Sequence, residues 1–284
     1  MHHVALPDGR TVPALGLGTW RMGESARARR AEVAAVRLAL QLGVRLIDTA
    51  EMYGEGGAEE VVGEAVAEAI AAGELRRDEL FVVSKVYPHN AGRSGVIAAC
   101  ERSLKRLRLS HLDLYLLHWR GQHPLRDTVA GFGALVEEGR TRHWGVSNFD
   151  VDDMEELLGV RHGDRCAANQ VYYALTQRGI EVALLPWLRA RNIACMAYSP
   201  LDQGRLGGDS VLKAIGTRHD ASANQVALAW VLHQPGVIAI PKAVRDAHLR
   251  ENLAAADLAL SAAELAELDR RFPPPQRKTP LAMT

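Results

Sequence analysis

The sequence predicts an α/β fold, a (β/α)8 barrel led by a short β-hairpin. Three observations carry that expectation. Helical and strand-like apolar patterns alternate along the whole chain. About eight short strand-like runs can be counted, the number that closes a parallel barrel. Several of those runs also lead into residues a core would not choose. Asp48, with Tyr53 beyond it, follows Leu46-Ile47, Lys85 lies just past Phe81 to Val83, and His118 follows Leu114 to Leu117. Gathering different strand ends around one point is how such a barrel builds an active site.

The elements follow in order. Val4 to Pro13 holds two short runs about Asp8-Gly9, a good hairpin turn. Leu15-Gly16-Leu17 is the first barrel strand. Val33, Val36 and Leu40 recur at helical spacing, and Gly43 stands where a helix stops. Strand Leu46-Ile47 comes next, then a helix carrying Val62, Val66 and Ile70 that ends before Gly73, then strand Phe81-Val82-Val83. Ile97, Cys100, Leu104 and Leu107 share one helical face. Leu112 to Trp119 is a strand, and Val129, Phe132 and Val136 mark a helix ended by Gly139. Trp144-Gly145-Val146 is a short strand, and Asp150 starts a helix with Met154 and Leu157. Asn169-Gln170-Val171 is a weak strand, Leu184, Leu185 and Leu188 are helical, and Ile193 to Tyr198 and Val237 to Ile240 are the last strands. Ser222 with Gln225 and Ser261 with Glu264 form capping boxes.

An open doubly wound sheet should show GxGxxG after its first strand, and Gly16-Leu17-Gly18-Thr19-Trp20 lacks the third glycine. No linker rich in Pro, Gly or Ser divides the chain, so residues 1–284 read as one barrel domain. A formal net charge of zero supplies no electrostatic reason to expect nucleic acid or an anionic membrane. No apolar stretch approaches the roughly 20 residues that span a bilayer. The start, Met1 to Pro7, lacks a leader pattern, and His2 and His3 read as a solvated terminus rather than a metal site. Cys100, Cys166 and Cys195 form neither a CxxC pair nor a zinc spacing, which fits a reducing, cytoplasmic setting.

An Asp, a Tyr, a Lys and a His at one barrel mouth suggest carbonyl reduction. Hydride arriving at a carbonyl carbon leaves negative charge on oxygen, which needs a proton donor. Tyrosine is a weak donor near pH 7 unless a nearby ammonium such as that of Lys85 lowers its pKa. Asp48 would keep that lysine charged, and His118 would orient the carbonyl. Each residue also has a plainer reading. Asp48 could cap a helix, Tyr53 pack on the rim, Lys85 be a solvated strand end, and His118 a hydrogen-bonded histidine beside Trp119. Their joint occurrence favours chemistry.

The residues also carry a resemblance. Leu46 to Gly54, Ser84-Lys85-Val86, Leu112 to Trp119, Gly145 to Phe149, Asn169-Gln170-Val171, Ala197 to Leu201 and Ile240-Pro241-Lys242 resemble, in order, motifs of the aldo-keto reductases. The match runs from about Leu15 to Leu260, and the wording around Glu51-Met52-Tyr53 and Pro186-Trp187 is most similar to bacterial methylglyoxal-reductase-type members. The resemblance implies a monomeric barrel binding NADPH across its C-terminal mouth. Tyr53 would donate the proton, Lys85 and Asp48 tune it, and His118 orient the substrate. Ser147, Asn148 and Gln170 would hold the nicotinamide carboxamide, with Tyr198 stacked on its ring and Thr19, Trp20 and Asp48 close by. Ser199, Pro200, Leu201, Gly204 and Leu206 would lie along the pyrophosphate. Ile240, Lys242, Ala243, Arg245, His248, Glu251 and Asn252 would surround the adenosine. The substrate pocket would be lined by Trp20, Tyr53, Tyr87, His118 and Trp119.

The sequence departs from the family after the last strand. Ala243 and His248 stand where Ser and Arg are usual, and those groups contact the 2′-phosphate. A neutral histidine is a poor substitute for a charged, bidentate arginine, although Arg245 lies nearby. NADPH binding with weak to moderate discrimination against NADH is therefore expected. The short tail after Phe272, broken by Pro273-Pro274-Pro275, offers little to shape specificity, so an open pocket for small carbonyl compounds is expected. Two competing functions fit less well. A cofactor-binding regulatory module would need a partner surface, and a metal-dependent hydrolase would need more ligands than Asp48 and His118 supply.

Overall fold

The structure, a computed structural model, describes residues 2–283; Met1, at the head of the segment read as lacking a leader, and Thr284 lie outside it. The hairpin forms as expected, with β1 (His3–Ala5) antiparallel to β2 (Thr11–Pro13) and Val4 opposite Val12. At its turn the Asp8 carboxylate accepts a hydrogen bond from the Arg10 amide at 3.0 Å.

Eight parallel strands then follow among the described residues. They are β3 (Leu17–Gly18), β4 (Leu46–Asp48), β5 (Phe81–Val86), β6 (Leu112–Leu117), β7 (Thr141–Ser147), β8 (Ala168–Tyr172), β9 (Ala194–Tyr198) and β10 (Val237–Ala239). Each pairs with the next in chain order. The last returns to the first: Leu15 bridges Ala239, Gly18 bridges Lys242, and the Gly16 and Gly18 amides donate to the carbonyls of Ala239 and Pro241 at 2.9 and 3.0 Å. These bonds close the barrel. A Cβ on Gly18 would lie 2.6 Å from the Ile240 carbonyl oxygen, so the seam admits only glycine there. Strands β4, β5 and β6 are buried at every position, which explains the apolar runs Leu46-Ile47, Phe81 to Val83 and Leu114 to Leu117 within them.

The outer helices are α1 (Ala26–Gln41), α2 (Gly57–Ala71), α3 (Arg93–Leu107), α4 (Leu125–Glu137), α5 (Val151–Leu158), α6 (Leu184–Arg189), α7 (Ser210–Arg218), α8 (Ala223–Leu232), α9 (Asp246–Ala254) and α10 (Ala262–Arg271). Both expected capping boxes form, at the starts of α8 and α10. Gly43 takes φ +97° just past α1, as a helix stop requires. No sequence expectation covers α7, a nine-residue helix capped by Asp209, whose glycine-rich approach gives little periodic signal. No helix among the described residues is long and apolar enough to cross a membrane.

Candidate active site

Asp48 and Lys85 lie within their strands rather than past them. Asp48 is the last residue of β4 and Lys85 the penultimate residue of β5, so the barrel wall buries both almost completely. The Lys85 ammonium donates to Asp48 Oδ2 at 2.7 Å, to the Thr49 carbonyl at 2.9 Å and to the Tyr53 hydroxyl at 3.1 Å. All three of its protons are thereby directed. Gln170, on β8, donates to the other Asp48 oxygen at 2.7 Å. Tyr53 opens a short 3-10 turn (Tyr53–Gly56), and its ring meets that of His118 edge-on at 5.7 Å. His118 is the first residue after β6, with its backbone amide tied to the Val86 carbonyl at 3.0 Å.

The electrostatics of this cluster follow from burial. Burial pushes Asp48 above the usual carboxylate range, opposed by Lys85 and Gln170. Burial alone would lower Lys85, but Asp48 and Tyr53 outweigh it and hold the ammonium above its ordinary value. For Tyr53 the sequence expectation needs correction: burial raises the phenol, and the Lys85 charge offsets only part of that rise. The cluster therefore holds a protonated tyrosine beside a charged lysine. His118 is driven well below the ordinary histidine range by burial and by Lys85, which makes it a neutral imidazole. Its Nδ1 is buried, with no hydrogen-bond partner among the described residues.

The cluster opens into a cleft of about 720 Å³ at the C-terminal ends of the strands. Of the residues expected at a cofactor, Thr19, Trp20, Ser147, Asn148, Gln170, Tyr198, Ser199, Pro200, Leu201, Gly204, Ile240, Lys242, Arg245 and His248 reach its wall. Ser147, Asn148 and Tyr198 are joined: Asn148 Nδ2 donates to Ser147 Oγ at 3.1 Å and the Tyr198 hydroxyl to Asn148 Oδ1 at 3.0 Å. Asn148, Ser199, Asp202 and Gln203 adopt φ of 59°, 48°, 48° and 54°, so this rim concentrates left-handed backbone. At the far end Arg245 donates to His248 Nε2 at 2.8 Å.

Five expected residues do not reach the wall. Ala243 and Leu206 are both buried in the core, Leu206 from the loop after β9. Tyr87 turns its hydroxyl to Glu55 at 3.1 Å and its ring stands edge-on behind Trp119, which does line the cleft. Glu251 and Asn252 lie one turn along α9 from His248, off the wall. Conversely, Arg21, Met52, Gln203, Asn224 and Met283 line the cleft without having been expected. Only Asn224 carried a signal, sitting inside the capping box that starts α8. Met283 corrects the view that the tail contributes little: Lys278 pairs with Asp150 at 3.1 Å, Leu281 packs on the core, and the last described residue reaches the cleft.

A closed eight-stranded barrel with an Asp-Tyr-Lys-His cluster at its mouth narrows the class sharply. Residues 14–271 match the model of the aldo/keto reductase family, and the chain belongs to that family of oxidoreductases. It is 51% identical over 278 residues to methylglyoxal reductase YeaE of Escherichia coli strain K12, covering 96% of this chain and 95% of that protein. It is 37% identical to a glyoxal reductase of Bacillus subtilis strain 168, covering 94% and 91% of the two chains. A crystal structure of an aldo/keto reductase from Klebsiella pneumoniae in complex with NADP and acetate superposes with a TM-score of 0.94, at 49% identity and 99% coverage of both chains.

Proposed function

We propose that this protein is an NADPH-dependent reductase of small aldehydes, 2-oxoaldehydes such as methylglyoxal among them. The observation that carries the reading is the Tyr53 hydroxyl 3.1 Å from a buried Lys85 that Asp48 holds at 2.7 Å, opening into an aromatic-walled cleft. Similarity to methylglyoxal and glyoxal reductases supports the substrate class.

The cleft suits a dinucleotide phosphate. Among the described residues, Arg21, Lys242 and Arg245 line it against one carboxylate, Asp48, which Lys85 already neutralises. Asn224 Oδ1, buried there with no partner among the described residues, is free to accept from a ligand. Lys242 and Arg245 would take the 2′-phosphate and the loop Leu201 to Gly204 the pyrophosphate. Ser147 and Asn148 would meet the carboxamide, with Gln170 contributing its carbonyl, since its amide nitrogen is directed to Asp48 and to Met196 Sδ. Tyr198 would stack on the ring.

NADPH, when bound, supplies the hydride. Tyr53 gives its proton to the carbonyl oxygen, and the adjacent ammonium stabilises the phenolate left behind. Asp48 keeps Lys85 charged in a site that would otherwise favour the neutral amine. Neutral His118 orients the carbonyl oxygen through a ring N–H, while Trp20 and Trp119 exclude water from the reacting carbon. The whole chain acts as one barrel domain. A cytoplasmic setting is supported by three buried free cysteines, and we read the chain as a monomer.

Purified protein mixed with NADPH and methylglyoxal tests the proposal. NADPH oxidation that depends on the aldehyde is expected. Absence of turnover across a panel of small aldehydes, with NADPH bound, overturns it.

A further inference from the structure

The ring of Tyr198 forms part of the cleft wall, and a second ring lies behind it. Tyr172, at the end of β8, stacks on Tyr198 with centroids 5.6 Å apart and planes 15° apart. Tyr172 is 4% exposed, and its hydroxyl donates a hydrogen bond to Asp202 Oδ1. Asp202 is itself buried, sits at φ +48°, and begins the 3-10 segment Asp202–Gly208. The next two residues of that segment, Gln203 and Gly204, reach the cleft. Arg205 folds back on Asp202, its guanidinium 3.3 Å from Oδ1 and its Nε 3.3 Å from the backbone carbonyl. One carboxylate thus joins two walls of the same cleft: the stacked rings through its side chain, and the overhanging loop through its backbone.

A left-handed aspartate costs backbone strain, which persists only where its surroundings over-determine it. Here the Tyr172 hydroxyl, the Arg205 guanidinium and the turn from the Asp202 amide to the Ser199 carbonyl at 2.9 Å do so. The free hydroxyl of an unlinked Tyr172 would leave the ring stack and the loop to move independently.

We propose that Asp202 is a positioning residue which, through its hydrogen bond to Tyr172, locks the loop Asp202–Gly208 to the Tyr172–Tyr198 ring stack and so holds bound NADPH in the cleft. The inference rests on the cofactor reading of the cleft given above. It assigns Asp202 no contact with the reacting atoms. Its effect is on how long the dinucleotide stays.

Stopped-flow release of NADPH, followed by its fluorescence, tests this in the full chain. Equilibrium titration and thermal unfolding accompany each measurement. Tyr172→Phe, which deletes one oxygen, and Asp202→Ala should each raise the release rate and Kd about tenfold, the scale of a lost buried hydrogen bond to a charged group. Asp202→Asn keeps an acceptor and should stay closer to the wild type. The double variant should be no worse than Asp202→Ala alone, because that single already removes the Tyr172 bond. A purely structural role would lower the unfolding temperature without changing release from the folded fraction. Should Asp202→Ala fail to fold, Tyr172→Phe carries the test. Release and Kd within twofold of the wild type in Tyr172→Phe, or losses that multiply in the double variant, overturn this inference alone. A wild-type protein that does not bind NADPH overturns the cofactor reading and this inference with it.

Discussion

Lys85 and Asp48 face each other across neighbouring strands at 2.7 Å, with 0% and 2% of their side chains exposed. Removing one partner leaves the other charge buried and unpaired, which costs about 3–5 kcal/mol. Lys85→Met should therefore unfold at markedly lower denaturant than the wild type. Asp48→Asn/Lys85→Met should recover part of the loss, since it leaves no isolated charge. Equilibrium denaturation of the three proteins checks this, and a single variant as stable as the wild type contradicts it.

The cofactor preference should be modest. Ala243 is buried and makes no contact with the cleft, and His248 is engaged by Arg245 rather than replacing an arginine. The kcat/KM ratio of NADPH to NADH should stay below about a thousandfold, some 4 kcal/mol at about 1.36 per decade. Arg245→Ala should lower the NADPH value about tenfold and barely alter the NADH value, the loss of one charge-assisted contact to a phosphate. Equal losses with both cofactors would place Arg245 away from the 2′-phosphate.

Histidine burial gives a pH dependence with a definite sign. Burial holds His118 well below its ordinary value, with Lys85 adding to the shift, and also lowers His111 and His143. The unfolded chain then binds more protons than the folded one below about pH 6.5. This contribution to stability is complete above that pH and is lost as pH falls toward the folded-state values. The unfolding free energy of the wild type should fall between pH 7 and pH 5, and that of His118→Gln should fall less steeply. Parallel slopes would mean that His118 is protonated in the fold.

The cysteines should be silent. Cys100, Cys166 and Cys195 are buried and free, and burial pushes each thiol up to about 12. A thiol-reactive reagent should label none of them in the native protein and all after denaturation. Rapid labelling of the native chain would show that the barrel opens around them.

Much of this molecule was legible in its sequence because parallel barrel strands are buried on both faces and read as short apolar runs. Leu46-Ile47 and Leu114 to Leu117 announced their strands, and the ionisable residue after each announced the mouth. The capping boxes at Ser222 and Ser261 located two helix starts because side chain and backbone pair locally there. The balance of burial against charge at Tyr53 was not legible, because it depends on how deep the ring lies. Nor was the turning away of Tyr87, set by Glu55, or the approach of Met283, set by how the tail folds back. Those outcomes depend on contacts between distant segments, which spacing along the chain does not encode.

The most direct test of the account compares wild-type protein with Tyr53→Phe, measuring both methylglyoxal-dependent NADPH oxidation and NADPH affinity. On the proposed mechanism the phenol would contribute the transferred proton and no contact needed to hold the dinucleotide. The variant should therefore lose about 10²- to 10⁴-fold in kcat while its Kd for NADPH stays within about threefold of the wild type. A variant that turns over as fast as the wild type would show that the proton comes from elsewhere and that the Asp48-Tyr53-Lys85-His118 cluster is not the catalytic centre.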